Sequence, residues 1–281
     1  MKTILSEPVK PQKESKTLEF LYRNFFGRCI LRVLRAKWVS VTAGAFLNTR
    51  LSKFLIPSFV KKNGIDLSKY ESDNFKCFND CFSRKIKDGF RPIDQAEQSL
   101  ISPADALLSV YKAERGSVFP VKQSMYTLNS LLKDNLLARD FYDGYVYVFR
   151  LCVNHYHRYS YPASGKKSRN IHINGTLHTV RPIALENTKV FCENSREYTV
   201  IDTYDFGKII QMEVGAMLVG KIKNLHQERL IEKGEEKGMF LYGGSTVILI
   251  TDGNTLPKKE FLDNTLKGFE TPIKLGERIN E

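Results

Sequence analysis

The sequence predicts an α+β fold, with amphipathic helices at the N-terminus followed by a mainly antiparallel β core. Three observations carry this prediction. Apolar residues early in the chain recur at helical spacing: Leu18, Leu21, Tyr22, Phe25, Cys29, Ile30 and Val33, and later Phe75, Phe78, Phe82 and Ile86. Residues 145–153 and 246–251 are instead short runs rich in β-branched and aromatic residues, as strands are. Residues 196–222 alternate and contain Gly215 and Gly220, and strand glycines mark close backbone approach or a bend. Helical signals ahead of strand signals read as α+β rather than α/β. With 281 residues, 42% of them hydrophobic and 11% aromatic, the chain can bury a sizeable core and is not of the disordered class.

The first element is basic. Residues 1–70 hold 14 Lys/Arg against 4 Asp/Glu, which is most of the chain's net charge of +12. A local excess of this kind points to an anionic surface as partner. Arginines 23, 28, 32 and 35 interrupt the apolar helical spacing, and no run of about 18 uncharged apolar residues occurs, so a spanning helix is not expected. Met1 to Thr17 lacks the apolar stretch of a signal peptide. Two readings fit: a surface helix packed on the core, or an interfacial helix pair lying on an anionic bilayer with Trp38 and the arginines at headgroup level. The aliphatic content and the lack of a recognisable binding module argue against nucleic acid. We therefore divide the chain into a basic amphipathic segment, 1–70, expected to associate with a membrane surface, and a larger domain, 71–281.

The stripe at Phe75, Phe78, Phe82 and Ile86 predicts a core-facing helix stopped by Gly89. Cys77 and Cys81, four apart, sit on that helix. Five cysteines without metal-ligand spacing suggest reduced thiols and no disulfide framework. No metal-ligating cluster, P-loop or dinucleotide fingerprint is present. Ser102-Pro103-Ala104-Asp105 reads as a turn. The strand at 145–153 runs into Asn154-His155-Tyr156-His157-Arg158-Tyr159-Ser160. Lys233 to Gly238 is expected to be a polar turn, and His226 and Glu228 to lie in a loop. The β-branched run Thr246–Thr251 reads as a buried strand. It is preceded by Tyr242-Gly243-Gly244-Ser245, where two glycines before a hydroxyl residue can leave a carbonyl open to attack.

Taken together, these segments resemble the phosphatidylserine decarboxylases. The resemblance spans roughly residues 72–252 in six pieces and in the family's order. The pieces are Phe78-Asn79 through Arg91-Pro92-Ile93; Ser102-Pro103-Ala104-Asp105; Val121-Lys122 through Tyr126-Thr127-Leu128; Tyr156-His157-Arg158; Val214-Gly215-Ala216 through Gly220; and Gly244-Ser245-Thr246. Departures are Cys81 for an aromatic, Ala106 and Gln123 for glycines, His155 for an aspartate, and Ser160 for a histidine. The last matters most, because that histidine is the family's usual base. A serine hydroxyl is far too weak a base at neutral pH to replace imidazole.

The resemblance implies that Ser245 attacks the Gly244 carbonyl and cuts its own chain. The products would be a β-chain, 1–244, and an α-chain, 245–281, that stay associated. Ser245 becomes a covalent pyruvoyl group, which serves as the electron sink for decarboxylation in place of pyridoxal phosphate. The implied substrate is phosphatidylserine in an anionic membrane, and the product is phosphatidylethanolamine. The protein would sit peripherally on the cytoplasmic face of the cell membrane, and family members are often homodimers. Asp105 would orient the base. We expect His178 to be that base, because it occupies an aromatic position of the family in a segment beside the active site. His157 would move the proton in decarboxylation. Two alternatives stay open: a lipid-binding relative that does not mature, and a decarboxylase of a soluble amino acid.

Overall fold

The structure is a computed structural model that describes residues 7–10, 42, 44–121, 124–175, 194–215, 221–242 and 245–281. The helical spacing predicted at residues 18–33 lies outside these residues, as do His178 and Gly244. A helical turn at 44–47 leads into a 3-10 helix, Arg50–Leu55, and then α1 (Ile56–Lys62). Among the described residues there follow a short 3-10 helix, Leu67–Lys69, and α2 (Phe78–Phe82), α3 (Leu128–Leu132), α4 (Asn135–Arg139) and α5 (Lys259–Leu266). The strands begin with β1 (Ala106–Ala113), the hairpin β2 (Phe119–Val121) and β3 (Ser124–Tyr126), and β4 (Gly144–Leu151). They continue with β5 (Arg158–Ser160), β6 (Gly165–Lys167), β7 (Ile171–Ile173), β8 (Arg196–Thr203) and β9 (Lys208–Val214). Last come β10 (Ile222–Asn224), β11 (Arg229–Ile231), β12 (Glu236–Phe240), β13 (Ser245–Thr251) and β14 (Thr271–Ile273). The architecture is α+β, as the sequence predicts.

One antiparallel sheet runs in the order β11-β6-β8-β9-β13-β4-β1-β14, with β7 also on β8, and a smaller sheet runs β10-β12-β5. Strand β13 is central in the large sheet, paired with β4 on one side and β9 on the other. Both its faces are covered. Val247 and Leu249 pack with Tyr159 of β5 and Phe240 of β12, while Ile248 and Ile250 pack with the β2–β3 hairpin and α3. A strand buried on two faces needs apolar residues throughout, which is why its sequence is continuous rather than alternating. The chain leaves the small sheet at Phe240 and enters the centre of the large one at Ser245.

Two local expectations change. The Phe75–Ile86 stripe is not one helix. Phe75, Phe78 and Phe82 are buried, but the helix covers only Phe78–Phe82, and Ile86 is extended in a bridge to Tyr70. The Asp80 carboxylate accepts the Lys76 N–H at 2.8 Å and ties down the chain ahead of the helix, while Ser83 leaves helical geometry at its end. The polar turn is also shorter than Lys233–Gly238, because Glu236–Phe240 is a strand. Gly238 is required there: a Cβ would lie 2.3 Å from the Lys223 carbonyl oxygen of β10.

Candidate active site

Ser245 is the first residue of β13 and is buried. It pairs with Leu151 at the end of β4, and one strand further Leu107 of β1 pairs with Arg150. The start of β1, the end of β4 and the start of β13 are thus level at one end of the sheet. Asp105, immediately before β1, lies about two strand spacings, or ~10 Å, from Ser245 across the sheet. Its carboxylate is held by Arg91, Nε to Oδ1 at 2.7 Å and Nη2 to Oδ2 at 2.5 Å, and Oδ1 also accepts the Leu275 N–H at 3.0 Å. A carboxylate has about four acceptor sites, so capacity remains for one more donor.

The segment after β4 closes over this end. His155 accepts the Cys152 N–H on Nδ1 at 3.2 Å, which ties down the chain just after β4. With Nδ1 an acceptor, the ring proton sits on Nε2. Burial lowers the His155 pKa. His157 is buried against Phe82, ring centroids 3.9 Å apart, and its Nδ1 lies 2.9 Å from the His155 carbonyl oxygen. That bond places the proton on Nδ1 and leaves the Nε2 lone pair. Burial, reinforced by the Arg84 charge, pushes the His157 pKa down to about 3, so the ring is neutral at pH 7.

Ser160 ends β5. Its N–H donates to the Pro103 carbonyl at 2.9 Å and its carbonyl accepts from Gln211 Nε2 at 3.1 Å. The position therefore adjoins the Asp105 turn, but carries a hydroxyl. His178 is outside the described residues. The strands that bracket its segment are in view: Ile173 pairs with Arg196, Arg196 with Val214, and Val214 with Thr246. The chain leaves and re-enters the sheet at the Ser245 end. Arg158 is committed to Glu236, 2.9 Å away, and to the Ser83 carbonyl. Among the described residues no group of His, Cys, Asp and Glu gathers as a metal site would.

Three features escaped the sequence reading. Arg91 clamps Asp105. Asn79 of α2 accepts the Tyr242 N–H at 3.1 Å, beside the Gly243-Gly244 pair. Lys237 of β12 and Glu213 of β9 form a fully buried pair, Nζ to Oε2 at 2.5 Å, that joins the two sheets next to Ser245's strand. No short-range pattern announces them, because each partner is distant in sequence.

Comparison with known proteins bears on this arrangement directly. A sequence model of the phosphatidylserine decarboxylase family matches residues 78–281. The chain is 41% identical over 272 residues to phosphatidylserine decarboxylase proenzyme 2 of Clostridium acetobutylicum, covering 96% of this chain and 93% of that protein. It is 38% identical to the phosphatidylserine decarboxylase proenzymes of Clostridium kluyveri, covering 94% of this chain and 92% of the relative, and of Fusobacterium nucleatum, covering 93% and 90%. A family-model match over most of the chain, together with relatives of this identity and coverage, shows that the chain belongs to the phosphatidylserine decarboxylase family.

Proposed function

We propose that this protein decarboxylates phosphatidylserine to phosphatidylethanolamine after cutting itself between Gly244 and Ser245. The observation that supports it most is the placement of Ser245. It is a buried nucleophile at the first position of a central strand, with Asp105 at the same end of the sheet. Removal of the Ser245 Oγ proton lets the oxygen attack the Gly244 carbonyl carbon. The C–N bond to Ser245 breaks as the C–O bond forms, giving an ester. β-Elimination at Ser245 then releases the Gly244 carboxylate, and hydrolysis of the resulting enamine frees ammonia and leaves the pyruvoyl group. The surroundings fit this product. Residues 246–251 stay locked between β4 and β9 after the cut, so the new α-chain terminus is held in place. When formed, the pyruvoyl group supplies an electron sink for loss of CO2.

For the base we keep His178, with Asp105 as its orienting carboxylate and Arg91 fixing that carboxylate. In the decarboxylation His157, neutral and with Nε2 free of the His155 carbonyl, is the group for proton transfer. The described part of the N-terminal segment supports a membrane surface as partner. Leu51 and Phe54 are 75% and 70% exposed, Phe46 is also exposed, and Arg50, Lys53, Lys61 and Lys62 lie among them. Apolar residues flanked by cations are the composition of an anionic interface. Among the described residues no helix is long and apolar enough to cross a membrane. We assign 1–70 to this role and 71–281 to catalysis, with peripheral attachment at the cytoplasmic face and the chains 1–244 and 245–281 remaining together, a homodimer being the expected assembly.

The test is conversion of phosphatidylserine in mixed anionic vesicles, measured as CO2 release and phosphatidylethanolamine formed, beside free serine and aromatic amino acids. Turnover of the lipid alone is expected. Turnover of a free amino acid in its place would overturn the substrate assignment. A second reading, a lipid-binding relative that does not mature, has Ser160 in its favour, and absence of both cleavage and turnover would select it.

A further inference from the structure

Resting on the Gly244–Ser245 cleavage, we propose that Asn79 is a positioning residue for that step, its carboxamide fixing the chain ahead of the scissile bond. Two consecutive glycines impose little conformational restriction of their own. The approach of Ser245 Oγ to the Gly244 carbonyl must therefore be set by what holds the residues on either side. On the far side that is β13, paired on both edges. On the near side the last main-chain anchors are the Phe240 N–H on the His157 carbonyl at 2.9 Å, the Leu241 N–H on the Lys221 carbonyl at 3.0 Å, and then the Tyr242 N–H on Asn79 Oδ1 at 3.1 Å. Among the described residues, the third is the anchor nearest the cut and the only one of these made by a side chain.

The side chain itself is held. Asn79 is 3% exposed, and its Nδ2 donates to Asn48 Oδ1 at 3.0 Å. Asn48 is in turn turned by its own donation to the Gly44 carbonyl at 3.1 Å, so it presents an oxygen to Asn79. That settles which way the Asn79 amide faces, with oxygen toward Tyr242. The helix carrying Asn79 is pinned from the same N-terminal layer, because the Phe78 N–H donates to Ser52 Oγ at 2.8 Å. Phe78 and Phe82 on that helix also meet the Tyr242 ring edge-on, centroids 5.1 and 5.3 Å apart. Helix α2 therefore grips Tyr242 by backbone and ring together. A displacement of about 1 Å between reacting atoms can cost about a hundredfold in rate, which is the scale on which such a grip acts.

The test follows the conversion of freshly synthesised full-length protein into two chains over time, for wild type, Asn79→Leu, Asn79→Ser and Asn79→Asp. Asn79→Leu removes the acceptor, and Asn79→Ser keeps a hydroxyl that cannot reach Tyr242. Both are expected to cleave about tenfold more slowly or worse. Asn79→Asp keeps an oxygen facing the Tyr242 N–H, and Asn48 can turn its Nδ2 toward it, so cleavage within about threefold of wild type is expected. Rescue by the aspartate is the result that loss of packing alone does not give. Cleavage of Asn79→Leu and Asn79→Ser at the wild-type rate, or an Asn79→Asp variant as slow as both, overturns the assignment while leaving the decarboxylase reading intact. A wild-type chain that stays whole overturns the cleavage reading first, and the assignment with it.

Discussion

Replacing Lys237 by Met should be among the most damaging single changes outside the reacting atoms. Lys237 and Glu213 are 1% and 0% exposed at the side chain. Besides Lys237, Glu213 Oε2 accepts Asn224 Nδ2 at 3.2 Å, and Lys237 Nζ also reaches Asn224 Oδ1 at 3.1 Å. Oε1 of Glu213 has no partner among the described residues. Burial pushes the Glu213 pKa up and the Lys237 pKa down, and each charge opposes that on its partner. Remove the ammonium and a carboxylate is left in the core with one amide donor. Breaking a buried pair in this way costs about 3–5 kcal/mol, a large part of the roughly 5–15 kcal/mol by which domains are stable. At about 2–4 °C per kcal/mol for larger domains, the melting temperature should fall by roughly 10 °C. The assay is thermal unfolding in a Ser245→Ala background, so that every variant is a single chain. The double variant Lys237→Met/Glu213→Leu should recover most of the loss, since neither charge then remains. A Lys237→Met variant within about 2 °C of its parent, or a double variant worse than the single, would refute the reasoning.

Other consequences can be checked separately. His178→Ala should abolish or greatly slow self-cleavage, whereas His157→Ala should permit the cut and reduce decarboxylation of the matured protein; cleavage of His178→Ala at the wild-type rate would end the assignment of that base. His157 is held neutral, with its pKa at about 3 against 6.5 when exposed. The unfolded chain thus binds more protons between those values, and stability is full above pH 6.5 and falls as pH drops toward 3. The contribution is about 1.4 kcal/mol per pH unit, so urea unfolding between pH 6.5 and 4.5 should show a shallower loss for His157→Gln than for its parent. Replacing both Leu51 and Phe54 by Ser should weaken binding to anionic vesicles about tenfold or more, with cleavage unchanged. Unaltered vesicle binding would place the membrane contact elsewhere.

What the sequence could and could not show follows from the range of each interaction. The strand β13 was legible because burial on both faces demands an unbroken apolar run, and Val247 to Ile250 supply it. The family pieces were legible because they are short and contiguous. The contact of Ser160 with the Asp105 turn was not, because its N–H reaches the Pro103 carbonyl from a separate strand. The anchoring of Tyr242 by Asn79 spans 163 positions. Lys237 sits in a Lys-Gly-Glu-Glu-Lys-Gly stretch whose composition reads as solvated turn. Only the pairing of β12 with β10 and β5 turns that lysine inward. The predicted helix over Phe75–Ile86 erred for a similar reason: its aromatic residues are buried as expected, yet by a one-turn helix and an extended bridge rather than by a continuous helical face.

The central claim is that the chain cuts itself after Gly244 and turns Ser245 into a pyruvoyl group. Denaturing intact-mass measurement of the purified protein, with Ser245→Ala as control, tests it most directly. The account predicts two species, residues 1–244 and 245–281, the smaller lighter than the plain peptide by the ammonia lost and carrying a blocked, pyruvoyl-bearing N-terminus, and a control that remains whole. A single 32.3 kDa species identical in wild type and control would contradict it.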